Sequence, residues 1–139
     1  MATTGTTPGR GPGHRSGGVV RAAVGAFGED VAARHLVAQG MVILDRNWRC
    51  PAGEIDLVAR ADDVLVVCEV KTRRGELFGS PAEAVDRRKA ARLRVLAVQW
   101  LAVHPVKPSQ VRIDVVAVVM PRRGAGRGTV EVEHLVGVC

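Results

Sequence analysis

A chain of 139 residues and 14.8 kDa fits a single domain with one sizeable core. Twenty basic residues against fourteen acidic leave a formal charge of +6 and a pI near 10.2, which favours an anionic partner, nucleic acid first and an anionic membrane surface second. No apolar run approaches the roughly 18–20 residues of a membrane span, which argues against an integral membrane protein, and the N-terminus lacks the apolar core of a signal peptide, which predicts the cytoplasm.

The first twenty residues, MATTGTTPGRGPGHRSGGVV, are dominated by Gly, Thr and Pro and carry Arg10 and Arg15 without an acid. Such a stretch cannot offset its ordering entropy by burial, so residues 1–19 are expected to form a disordered basic tail and 20–139 the folded domain. From Val20 to Gln39 apolar residues recur at helical spacing (Val20, Val24, Phe27, Val31, Ala38), and Gly40 ends the helix. Glu29 lies off that stripe, on a second face shared with Gly25, Ala32 and Leu36, where small side chains permit close approach of another element. Met41 to Arg49 reads as a first strand, and Pro51 to Gly53 as a turn. Glu54 to Arg60 alternates, with Ile55, Leu57 and Ala59 on one side and Glu54, Asp56 and Val58 on the other. After a turn at Ala61 to Asp63, Val64 to Lys71 is almost continuously apolar, as a central strand covered on both faces should be.

Thr72 to Gly79 reads as a loop bearing Arg73 and Arg74. Ser80, Pro81, Ala82 and Glu83 then resemble a capping box, predicting a helix from there to about Val103 with Val85, Lys89, Leu93, Leu96 and Trp100 facing inward. Val111 to Met120 reads as a second buried strand, Pro121 to Gly128 as a basic loop and Thr129 to Val136 as a final edge strand. The expected order is αβββαββ, an α/β sandwich around a mixed sheet.

Three cysteines without a C-x-x-C pair predict neither a disulfide framework nor a zinc site, and Cys68 reads as a small buried hydrophobe. Two polar residues in half-buried strands need explaining, because an unpaired buried charge is costly. Asp56 and Glu69 are 13 residues apart on neighbouring strands of the expected hairpin, with Lys71 on the same face as Glu69. Two carboxylates that meet repel each other unless a cation lies between them. With oxygen donors and no Cys or His that cation is a hard one, Mg²⁺ or Mn²⁺. The E-x-K triplet by itself fits an ordinary cross-strand salt bridge. Asp56 at the right separation, Glu29 on a small-residue face and two arginines just beyond favour a metal site.

The segments G-E-I-D-L-V at 53–58 and C-E-V-K-T-R at 68–73 resemble the core of the PD-(D/E)XK, restriction-endonuclease-like fold, a three-layer sandwich whose mixed central sheet is flanked by helices. Together with G-A-F-G-E-D-V-A at 25–32, R-N-W-R at 46–49 and F-G-S-P-A-E-A-V at 78–85, they are similar to the YraN-like uncharacterised bacterial family, itself similar to archaeal Holliday-junction resolvases. By that resemblance Asp56 and Glu69 are metal-binding acids, Lys71 the catalytic lysine and Glu29 the helical glutamate completing the site. The resemblance implies a Mg²⁺- or Mn²⁺-dependent endonuclease acting on DNA, branched or structured DNA included. Arg73, Arg74 and Lys89 are expected to contact nucleic-acid phosphates. The scarcity of aromatic residues favours duplex or branched backbone over a stacked single strand. The competing expectation is a nucleic-acid-binding module of the same fold with little or no turnover, working within a DNA-processing assembly. No membrane partner is expected, and a homodimer stays open.

Overall fold

The computed structural model describes residues 16–75, 85–121 and 128–138. Its elements are α1 (Ser16–Ala38), β1 (Val42–Cys50), β2 (Gly53–Ala61), β3 (Val64–Arg74), α2 (Arg87–Ala102), β4 (Gln110–Met120) and β5 (Glu131–Leu135). The five strands form one sheet in sequence order, antiparallel throughout except for the parallel pair β3–β4. A parallel pair needs a crossover, and α2 supplies it. One apolar cluster lies between α1 and the sheet and a second between α2 and the opposite face, so three layers bury the central strands on both sides. Among the described residues no helix is long and apolar enough to cross a membrane.

Several elements depart from expectation. α1 begins at Ser16, four residues ahead of Val20, while residues 1–15 of the expected tail lie outside the described residues. Its buried face is Gly28, Ala32, Ala33 and Leu36, not the stripe of larger residues; Phe27 is 38% exposed and Val24, Val31 and Ala38 are not buried. Closeness decides this. A Cβ built on Gly28 would overlap Thr72 Oγ1 and stand 2.9 Å from both Thr72 Cβ and Cγ2, so the small-residue face alone lets α1 lie against β3. Thr72, Arg73 and Arg74 continue β3, paired with β4, instead of opening a loop.

α2 starts at Arg87. Asp86 is its N-cap and accepts a hydrogen bond from Lys89 N at 2.8 Å, while Val85 is not helical. The expected capping box at 80–83 lies outside the described residues, as do residues 122–127 of the basic loop. Val85, Leu93, Leu96 and Trp100 are buried as expected, joined by Ala90 and Ala97. Trp100 Nε1 donates to Asp45 Oδ2 at 2.9 Å, which satisfies the one polar atom of the largest core side chain and ties α2 to β1.

Asp114, in the middle of β4, is a buried charge that the strand pattern conceals. It is 0% exposed and accepts from Arg112 (2.9 Å, twice), from Gly137 N (2.9 Å) and contacts His134 Nε2 (2.8 Å). Burial pushes its carboxyl up, but these partners outweigh burial and hold it below the usual carboxylate range. The network fastens β5 and the segment after it to β4.

Gly28 and Gly25 give opposite expectations for alanine. Each change gains about 1 kcal/mol of helix propensity. At Gly25 nothing lies within 4 Å of the new methyl, so Gly25→Ala should stabilise. At Gly28 the overlap with a β-branched residue, whose rotation only exchanges one substituent for another, costs about 1–3 kcal/mol. Gly28→Ala should therefore lower the midpoint of urea denaturation where Gly25→Ala raises it; equal midpoints would contradict the close approach.

Candidate active site

β2 and β3 pair from Ala61–Val64 as far as Leu57–Cys68 and then part, while β3 runs on to Arg74 paired only with β4. The expected simple alternation of β2 fails at this point. Ile55 and Val58 both face α2, whereas Leu57 and Ala59 face α1. Asp56 stands at the break. Its Oδ2 accepts the Val70 N–H at 2.8 Å, so a side chain takes the place of the missing ladder partner and bridges the two strands.

Because the edge of β3 is open here, two hollows on opposite faces of the sheet meet at Asp56. The one beside α1, about 380 Å³, is lined by Gly25, Glu29, Asp56, Lys71, Thr72 and Arg74 among others. The other, about 470 Å³ and beside α2, is lined by Glu54, Asp56, Glu69, Lys89 and Arg92 with Leu93 and Leu96. Alternation along β3 keeps Glu69 and Lys71 on the side of Leu65 and Val67. Glu69 borders the α2-side hollow and Lys71 the α1-side one, and Asp56 and Val70 are common to both.

Burial raises the Asp56 carboxyl to about 7; the Val70 hydrogen bond opposes the rise, and the charges of Glu69, Glu29 and Glu54 add to it. Three carboxylates thus converge electrostatically on a fourth. Glu69 is held by Lys89, with Nζ 2.7 Å from Oε2. Lys89 therefore reaches the strand ends, as expected of a residue meeting substrate there, but its partner in this structure is a protein carboxylate. Arg74 donates to the Pro121 carbonyl at 3.3 Å and lines the α1-side hollow; Arg73 lines neither. Cys68, fully buried beside the site, has its thiol pushed up by burial and is inert as a nucleophile.

Among the described residues no three His, Cys, Asp or Glu side chains stand close enough together to hold an ion. The donor set nevertheless suits a hard cation. All its donors are carboxylate oxygens, and burial together with the neighbouring acids raises the central one to about 7. One contributor was not anticipated, the Val70 N–H that positions Asp56, and one was not singled out: Arg92, expected with Arg87, Arg88 and Arg94 to be partly solvated and partly a weak phosphate contact, joins Lys89 in the α2-side hollow. A backbone donor leaves no trace in a side-chain pattern. Arg92 is one of several arginines spaced round a helix, and only the position of the hollow distinguishes it.

The displaced titration of Asp56 has a signed consequence. Its folded-state value of about 7 lies above the ordinary 3.8, so the stability that it contributes is present in full below pH 4 and is lost as pH rises to 7. Asp56→Asn keeps an acceptor for Val70 N and removes the charge. Without divalent ions, urea melts should show the variant more stable than wild type by on the order of 1–3 kcal/mol at pH 8 and matched to it at pH 4. A difference independent of pH would contradict the raised value.

Residues 28–118, from the middle of α1 to near the end of β4, match the family model described as "Uncharacterised protein family UPF0102". A UPF0102 protein of Nocardioides sp. is 56% identical over 119 residues, covering 86% of this chain and 93% of that protein. One from Frankia alni is 62% identical over 115 residues, covering 83% and 92%, and one from Streptomyces coelicolor is 55% identical over 120 residues, covering 85% and 89%. The matched range contains Glu29, Asp56, Glu69, Lys71 and Lys89, and with them the whole lining of the α2-side hollow and all of the α1-side lining but Val24 and Gly25. This chain belongs to the uncharacterised protein family UPF0102.

Proposed function

We propose that this protein is a divalent-metal-dependent DNA endonuclease of the PD-(D/E)XK type, hydrolysing phosphodiester bonds in duplex or branched DNA. The observation that carries the proposal is Asp56: a carboxylate set where two strands part, fixed by a backbone N–H, subject to the charges of Glu29, Glu54 and Glu69 and sharing a hollow with Lys71. A protein gains nothing in stability from gathering like charges, so such a cluster calls for a functional cause. Fold alone does not assign chemistry; the residue set is what supports this reading. The net charge of +6 and the flanking Arg74, Arg92 and Lys89 suit a polyanionic substrate.

In this proposal Asp56 and Glu69 bind Mg²⁺ or Mn²⁺, with Glu29 adding a third carboxylate directly or through water. The ion, when bound, lowers the pKa of a water and offsets charge on the phosphate. Val70 N holds Asp56 in one orientation, so the acid is positioned before any ligand arrives. Lys71 lines the hollow that Asp56 and Glu29 share, and its role in this proposal is to orient the attacking water or stabilise charge growing on the phosphate oxygens. Arg74 and Arg73 hold flanking phosphates without reading sequence. The leaving group is the 3′ oxygen.

A second reading, a DNA-binding module without turnover acting in a larger assembly, draws on one observation: Glu69 is engaged by Lys89, so the acids are not gathered round a common point. The two readings separate on a panel of linear, flapped, forked and four-way DNA with Mg²⁺ or Mn²⁺. The enzyme should cut at least one substrate and Glu69→Ala none. Lys71→Met should bind Mn²⁺ as tightly as wild type or more so, because a competing cation is gone, and bind DNA nearly as well. Its single-turnover cleavage should fall roughly 100-fold or more. Equal cleavage by wild type and Lys71→Met would return Lys71 to a salt-bridge role. DNA binding without cleavage across the panel would favour the module.

A further inference from the structure

Lys89 stands at an awkward place for a cation. Asp86 caps α2 by accepting from Lys89 N at 2.8 Å, which fixes Lys89 in the first helical turn. That end of a helix carries a partial positive charge and favours acids. A lysine there needs an anion from elsewhere in the fold, and it finds Glu69, with Nζ 2.7 Å from Oε2. The two partners are unequally placed. The Glu69 side chain is 15% exposed and that of Lys89 39%. Glu69 therefore has the greater need of a countercharge, whereas Lys89 can return to water on its flexible stem. Of Glu29, Asp56 and Glu69, only Glu69 has an ion-pair partner among the described residues.

We infer that Lys89 is a built-in countercation: it occupies Glu69 while no divalent ion is bound and yields that carboxylate when one binds. The inference rests on the metal site proposed above and adds its regulation. Both partners border the same 470 Å³ hollow, together with Arg92, so the lysine has room to leave without disturbing the core beneath it. Two consequences follow from the exchange. Lys89 weakens metal binding, because an ion must displace it before reaching Glu69. Once displaced, its charge lies in a hollow already lined by Arg92, where an anionic phosphodiester is the next partner available. Metal occupancy and substrate binding are thereby coupled through one side chain.

The test is calorimetric titration of Mn²⁺ into wild type, Lys89→Met, Lys89→Gln and Arg88→Met, with each variant's fold checked by circular dichroism. Arg88 is exposed, and Arg88→Met removes the same charge one residue away. Lys89→Met should bind Mn²⁺ roughly fivefold to tenfold more tightly than wild type, the scale of a single partly exposed ion pair. Lys89→Gln, which keeps a neutral donor for Glu69, should show a smaller gain in the same direction, and Arg88→Met should stay within about twofold. Wild-type binding that Lys89→Met leaves unchanged or weakens would overturn the countercation while leaving the metal site standing. Equal tightening by Arg88→Met would overturn it too, by reducing the effect to general charge. Should Lys89→Met not fold, Lys89→Gln alone decides on the same criterion. Absence of Mn²⁺ binding in every protein would overturn the metal site and the countercation together.

Discussion

The contact between Asp56 Oδ2 and the Val70 N–H organises the functional end of this fold. β2 and β3 cannot both stay paired and open a cleft between the two helices. They part after Leu57 and Cys68, and a buried backbone donor left unmatched at that level would cost about 1–3 kcal/mol. Asp56 satisfies the donor, but in doing so it brings a carboxylate into a partly buried place beside three other acids. The hydrogen bond thus creates the electrostatic problem that a cation would solve. Structure and chemistry meet in one atom pair.

The layers on either side serve that arrangement. α1 lies so close to β3 at Gly28 and Thr72 that the neighbouring Glu29 overhangs the open strand edge from one face. From the other face α2 delivers Lys89 and Arg92, set by the Asp86 cap and by Trp100, whose indole N–H is anchored on Asp45. Behind them the parallel pair β3–β4 and the Asp114 network form the rigid floor. Acids from the sheet and from α1 meet cations from β3 and α2 at the end of the domain where strand pairing stops.

The architecture was legible in the sequence because its signals were redundant. The apolar runs of β3 and β4, the turn at Asp62 and Asp63 and the glycine after α1 all agree with the order αβββαββ. Asp56, Glu69 and Lys71 were legible for a different reason, as charges where a buried strand should have none. What stayed hidden depends on distances between elements. In α1 the close approach over the face of Ala32 and Leu36 was legible, but not that this face, with Gly28 on it, is the buried one and the stripe of larger side chains is not. In β2 alternation fails where the strand leaves β3 while still paired with β1, so the faces of Ile55 and Leu57 could not be read past that break. Lys89 looked like a phosphate ligand because helical spacing shows which way it faces but not that Glu69 waits 2.7 Å away. Asp114 was hidden by its own satisfaction: the partners from Arg112, His134 and Gly137 are scattered along 26 residues.

The claim on which the account stands is that Asp56 is held protonated by burial and by its acidic neighbours, and that a divalent ion ionises it. Carboxyl ¹³C resonances of aspartate-labelled protein, assigned through Asp56→Asn and followed from pH 3 to pH 9, report this directly. Without divalent ions Asp56 should titrate at about 7, and saturating Mg²⁺ should bring its midpoint below about 5, since a bound cation favours the charged form. An Asp56 that titrates near 3.8 in the metal-free protein, or whose midpoint does not move with Mg²⁺, would contradict the account.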